Sequence, residues 1–193
     1  LNTLQTLPKR EIYTGLGEII KYGIIYDAQF FQYLEDNIEQ VASLANEAAA
    51  HMTARSCEIK ADVVSQDEKE LGLRAILNFG HTAAHAIEKN TGYTKYNHGE
   101  AVAIGMVCAA YISKSLGMID QSVVDRVISL ILKLHLPIKA QGCTVEDLYR
   151  DIFHDKKTVG GKVKWILMES IGQVCGNSNV PEDIVKGAME KIV

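Results

Sequence analysis

Three short segments of this sequence hold side chains of the kind a divalent metal takes. They are Glu18 in Gly17-Glu18-Ile19-Ile20-Lys21, His81 and His85 in Gly80-His81-Thr82-Ala83-Ala84-His85, and His98 in Asn97-His98-Gly99-Glu100. His81 and His85 are four positions apart, so on a helix both imidazoles leave one face, about 6 Å from each other. A second helix opening at His98 turns a third imidazole toward them. Zinc accepts imidazole nitrogen and carboxylate oxygen, and a site with three protein ligands keeps one position open for substrate. Glu18 with any two of the three histidines meets that requirement. The same residues also have a plainer reading. A His pair at this spacing occurs on ordinary helices as cap or surface residues. Glu18 is then a first-turn acid with Lys21 as its i, i+3 partner, and Glu100 is an acid that suits the dipole of the helix opening at His98.

Further polar groups lie close to these in sequence. Glu70, Arg74 and Asn78 follow at four-residue intervals, one stripe leading to His81 if a single helix runs unbroken from Gly72 to Lys89. Lys60 precedes them. Arg74 has the fork geometry for a carboxylate, and lysines act as point charges for phosphate. Asp155-Lys156-Lys157 adds two cations beside Val159-Gly160-Gly161-Lys162, which reads as a mobile loop or, equally, as a solvated charged one.

Helical periodicity must position almost all of these groups. Glu11 to about Ser43 reads as two helices with Asp27 as a cap between them, and residues 45 to 66 as a third with Ala48, Met52, Ile59 and Val63 on one side. The helix from His98 or Gly99 to Ser115 is apolar or small on nearly every side and is expected at the centre. Asp120 to Leu134 follows as an amphipathic helix ahead of Pro137. Thr144 caps a short one, and Pro181-Glu182-Asp183 opens the last. The one strand signal, Lys162 to Met168 followed by Gly172-Gln173-Val174, predicts a small hairpin. The expectation is an all-α, bundle-like single domain over residues 1–193 with a β-hairpin near 162–174.

Bulk properties narrow the partners. A net charge of −4 with interspersed lysines and arginines offers no field for nucleic acid, and no apolar run reaches bilayer length, so a small-molecule ligand and a cytoplasmic location are expected. Cys57, Cys108, Cys143 and Cys175 lie more than thirty positions apart, which excludes zinc-ribbon spacing and fits reduced thiols, with Cys108 a packed hydrophobe. The opening at Leu1 reads as a cut inside a longer protein.

Taken together, Gly17-Glu18-Ile19-Ile20-Lys21-Tyr22-Gly23, Asp67-Glu68-Lys69-Glu70 with Gly72-Leu73-Arg74, Leu77-Asn78-Phe79-Gly80-His81-Thr82 and His98-Gly99-Glu100-Ala101-Val102-Ala103-Ile104-Gly105-Met106 resemble the C-terminal domain of the 3-dehydroquinate synthases. The resemblance implies that Glu18, His81 and His98 hold zinc (cobalt being an alternative) and that His85 is a polar neighbour. It implies that Lys60, Arg74 and Asn78 meet the carboxylate and hydroxyls of 3-deoxy-arabino-heptulosonate 7-phosphate. His85 and Lys156 or Lys157 lie near its phosphate, and Lys21 and Glu70 complete the pocket. The family carries an N-terminal α/β domain for NAD, and this sequence has no glycine-rich nucleotide loop after a strand. The expectation is therefore a homodimeric full enzyme that needs the other domain, and an isolated chain without turnover. Two rivals stand beside it: another sugar-phosphate cyclase, such as one resembling 2-deoxy-scyllo-inosose synthase, and a non-catalytic helical module with structural histidines.

Overall fold

The computed structural model describes residues 4, 6–67, 72–154 and 163–193, with the His154 side chain left aside. The described chain is helical except for one hairpin. Helix α1 (Lys9–Ile25) leads to α2 (Ala28–Asp36), α3 (Ile38–Ala42) and the long α4 (Asn46–Gln66). A 3-10 turn (Leu73–Asn78) then precedes α5 (His81–Asn90) and α6 (His98–Ser115). After these come α7 (Gln121–Lys133), α8 (Val145–His154), the antiparallel strands β1 (Trp165–Ser170) and β2 (Gln173–Asn177), and α9 (Glu182–Met189).

Helix α6 lies at the centre because its sequence leaves it no polar face. Thirteen of its residues are buried, Ala101 to Ala110 without a break, and α1, α5, α7, α9 and β1 pack around it. Its only buried polar side chain, Ser113, donates to Ala109 O at 2.8 Å and accepts from the Met168 amide at 2.8 Å, which ties β1 to the helix. Cys108 is fully buried there, and burial pushes its thiol up to about 12, so it packs as a hydrophobe and is no nucleophile.

Local signals act where they were read. The Asp27 side chain accepts from the Phe30 amide at 2.9 Å and caps α2, and Thr144 Oγ1 accepts from the Asp147 amide at 3.1 Å ahead of α8. Ala48, Met52, Ile59 and Val63 form the buried side of α4. The hairpin pairs Trp165 with Asn177 and Ile166 with Gly176, and runs three residues past Val174.

Three expectations need correction. The stretch from Glu11 to Ser43 holds a third short helix, α3, because the chain leaves helical dihedrals at Asn37. Pro181 sits in extended backbone as the cap of α9, one position before the helix. The unbroken helix from Gly72 to Lys89 does not exist. Residues Leu73–Asn78 form a 3-10 turn, and Gly80 adopts φ +80°, a left-handed conformation that ends one segment and restarts the next at His81. The proposed stripe from Arg74 through Asn78 to His81 is lost with it. Glu70, Lys156 and Lys157 lie outside the described residues.

Candidate metal centre

Two close backbone approaches bring the three elements of the site together. A Cβ on Gly99 would sit 2.0 Å from Thr14 O, and one on Gly17 would sit 2.6 Å from Gly99 O, so α1 and α6 cross with no side chain between them. Glu18 and His98 each adjoin one of these glycines. On the other side of α6, a Cβ on Gly105 would lie 2.0 Å from Gly80 O, and the positive φ of Gly80 folds the chain against Val102 and Met106. Phe79, fully buried, anchors that turn, a burial worth about 2–3 kcal/mol. His81 is the next residue, the first of α5.

The result is a cluster in which one ligand atom from each of Glu18, His81 and His98 lies within 4.8 Å of the others. Glu18 Oε1 is 3.8 Å from His81 Nε2 and 3.9 Å from His98 Nε2. These separations are too long for hydrogen bonds. They are a few tenths of an ångström beyond the roughly 3.4 Å between two ligands that share a tetrahedral zinc. Glu18 Oε1 is buried and has no hydrogen-bond partner, while Oε2 accepts from Lys21 Nζ at 2.6 Å. An orphaned carboxylate oxygen facing two imidazoles fits a cation between them, since burying such an oxygen alone is unfavourable.

Hydrogen bonds also aim the imidazoles. His81 Nδ1 donates to Phe79 O at 3.1 Å, since a carbonyl only accepts, so the lone pair is on Nε2 and faces Glu18. His98 Nδ1 meets Glu88 Oε1 at 3.0 Å, which directs its Nε2 inward likewise. Burial, reinforced by the Lys21 charge, pulls His81 down to about 4 against the opposing pull of Phe79 O and Glu18, so the ring is neutral near pH 7, as ligation requires. Lys21 is itself buried, with only 4% of its side chain exposed, and burial pulls its ammonium below the ordinary lysine range. The attraction of Glu18 restrains that fall and the charge of Lys60 adds to it, which places Lys60 in the electrostatic neighbourhood of the site. Side-chain exposure rises from 14% at His81 through 32% at Glu18 to 47% at His98, so the cluster opens toward solvent on the His98 side.

His85 stands beside the cluster. Its ring centroid is 5.8 Å from that of His81 and 6.4 Å from that of His98. With Ala75, Asn78, His81, Thr82, Lys164 and Ile166 it lines a cavity of about 280 Å³. Asn78 thus reaches the site through the 3-10 turn. Arg74 lies in the same turn, its amide donating to Asp67 Oδ2 at 2.8 Å. Glu100 takes the plainer role: it completes a capping box with Asn97 and pairs with Arg10 at 2.7 Å. Glu88 and Lys164 were missed by sequence reasoning. Glu88 follows His81 by seven positions on one helical face, a signal that was available. Nothing in the sequence placed Lys164.

A helical domain with an open Glu, His, His cluster, one member of which lines a cavity shared with Asn78, Thr82, His85 and Lys164, defines a candidate metal-dependent catalytic domain. The family described as 3-dehydroquinate synthase C-terminal matches residues 15–158, and the chain belongs to that family. It is 48% identical over 184 residues to a 3-dehydroquinate synthase of Shewanella sp. (strain MR-4), covering 95% of this chain and 51% of that protein. It is also 48% identical over 189 residues to one of Synechocystis sp., covering 96% and 52% respectively. The chain therefore spans about half the length of these relatives. Among solved structures, 2-epi-5-epi-valiolone synthase from Streptomyces hygroscopicus, with NAD+ and Zn2+ bound, superposes with a TM-score of 0.83 at 25% identity, over 96% of this chain and 52% of that one. A 2-deoxy-scyllo-inosose synthase complexed with carbaglucose-6-phosphate, NAD+ and Co2+ shares the fold at a TM-score of 0.80 and 22% identity, over 97% and 54%.

Proposed function

We propose that this chain is the metal- and substrate-binding part of a 3-dehydroquinate synthase, which converts 3-deoxy-arabino-heptulosonate 7-phosphate to 3-dehydroquinate and phosphate in the shikimate pathway of aromatic amino-acid biosynthesis. The observation that carries this is the unpartnered Glu18 Oε1 facing the Nε2 atoms of His81 and His98 in a chain of that family. Glu18, His81 and His98 would hold zinc or cobalt, and NAD would be held mainly by an N-terminal domain of the same, homodimeric, cytoplasmic enzyme. A metal held there would supply Lewis acidity, which makes the hydroxyl of a secondary alcohol easier to deprotonate for oxidation by NAD.

The remaining work belongs to the chain's own residues. Lys21 holds Glu18 Oε2, so that Oε1 alone is presented to the ion. Glu88 and Phe79 O fix the tautomers of His98 and His81. Lys60, Arg74 and Asn78 take the substrate's carboxylate and hydroxyls, and His85 with Lys156 or Lys157 the phosphate, while Glu70 completes the pocket. Together they hold the substrate in a reactive conformation, the main protein contribution when the substrate's own phosphate accepts the proton that elimination removes from the carbon skeleton. The two relatives at 48% identity are 3-dehydroquinate synthases, whereas the structures of other cyclases stand at 25% and 22%, which favours this substrate over a sugar phosphate without a carboxylate.

Steady-state kinetics of the full-length enzyme test the reading. Arg74→Ala is expected to raise KM with kcat largely kept, and His98→Ala to abolish turnover at saturating substrate. Normal turnover in the His98 variant would overturn the proposal.

A further inference from the structure

Lys164 lines the same cavity as Asn78, His81, Thr82 and His85, yet among the described residues its ammonium has neither a carboxylate nor a hydrogen-bond partner. It precedes β1, two positions before Ile166, which also lines the cavity; in extended backbone that spacing places both on one face. The opposite strand explains how the side chain is held. Gly176 pairs with Ile166 in the hairpin, and a Cβ at Gly176 would lie 2.6 Å from Lys164 Cε, 3.5 Å from Nζ and 3.8 Å from Cδ. The lysine therefore lies flat across a bare stretch of strand backbone. Gly176 is exposed and its backbone is not left-handed, so conformational freedom gives no reason for glycine here. Room for the lysine does.

We propose that Lys164, laid across Gly176, is a further anion-binding residue of this site and holds the phosphate group of the substrate; this rests on the function proposed above. A compact ammonium with three donors suits phosphate, whereas a carboxylate is better matched by a guanidinium. Thr82 and His85 stand on the same cavity wall and can complete the contact with hydroxyl and imidazole donors. The hairpin, the single β element among the described residues, thereby acquires a role in binding.

The test uses the full-length enzyme, with inorganic phosphate and acetate as competing anions and zinc content measured in parallel. Lys164→Met should weaken phosphate binding about tenfold or more, the scale of one hydrogen bond to a charged group. Acetate binding and zinc content should stay unchanged, and Lys164→Arg should recover part of the loss. Gly176→Ala should weaken phosphate in the same way, because only the lysine must move to admit the methyl group, and should add nothing in the Lys164→Met background. Unchanged phosphate binding in Lys164→Met, equal losses for phosphate and acetate, or additive effects of the two substitutions would each overturn the inference. Zinc retained by a His81→Ala variant would instead overturn the metal site itself, whatever Lys164 does.

Discussion

At the scale of single residues, the cluster separates groups that bind from groups that aim. Glu88 is only 12% exposed and touches no ion in the proposed arrangement, yet its contact with His98 Nδ1 decides which nitrogen faces Glu18. Glu88→Gln should lower zinc affinity roughly 10- to 100-fold, the usual effect of losing a carboxylate behind a ligating histidine, and competition with a chromophoric chelator would measure it. Glu100 belongs to the scaffold. Burial pushes its carboxyl up, but the hydrogen bond from Arg10, the Asn97 amide and the Arg10 charge together outweigh burial and leave it below the ordinary carboxylate range. A lowered carboxyl stabilises the fold above its unfolded value of 4.5, and that contribution is lost as pH falls through the lowered folded value. Glu100→Ala should therefore destabilise the protein by about 1 kcal/mol at neutral pH through the lost cap and ion pair. The difference from wild type in urea melts should shrink in acid.

At the scale of elements, glycines set the spacing that the ligands need. Gly99→Ala would place a methyl group 2.0 Å from Thr14 O, where backbone on both sides cannot yield without α1 and α6 moving apart. The expected cost is about 1–3 kcal/mol of stability, as for other overpacked contacts. Zinc affinity should fall as well, because Glu18 and His98 ride on the two displaced helices; denaturation and metal titration of the same variant give both numbers. Most of these elements were legible in the sequence, since helix caps at Asp27 and Thr144 and the all-round apolar character of α6 are local signals. The break before His81 was not. Its cause is tertiary: Gly80 reverses the chain because Gly105 leaves room for its carbonyl and Phe79 is buried, and neither fact is contained in the periodicity of residues 72 to 89. The metal cluster was only partly legible for the same reason. Spacing alone brought His81 and His85 together and the family resemblance named Glu18 and His98 with His81; the crossing of α1 with α6 is the physical reason those three meet.

At the scale of the whole molecule, the chain covers about half of its relatives' length, and the proposed chemistry divides accordingly. In that proposal the described residues would provide ligands, a cavity and cations, while hydride transfer needs a nicotinamide held against the same carbon. The isolated chain, supplied with NAD and substrate, should show no dehydroquinate formation, and adding the remaining half should restore it; steady product formation by the isolated chain would contradict this division. A larger cavity, about 590 Å³ between Arg10, Tyr96, His135 and Lys139, shares no lining residue with the cluster, and much of its polar lining is already spent on internal bonds, among them Arg10 to Glu100 and Lys139 to Val193 O. The central claim concerns the metal, and elemental analysis of the purified chain after dialysis against zinc tests it most directly. The account predicts about one zinc per chain in the wild type and essentially none in a His81→Ala, His98→Ala double variant that remains folded by circular dichroism. Equal zinc in the two proteins would contradict it.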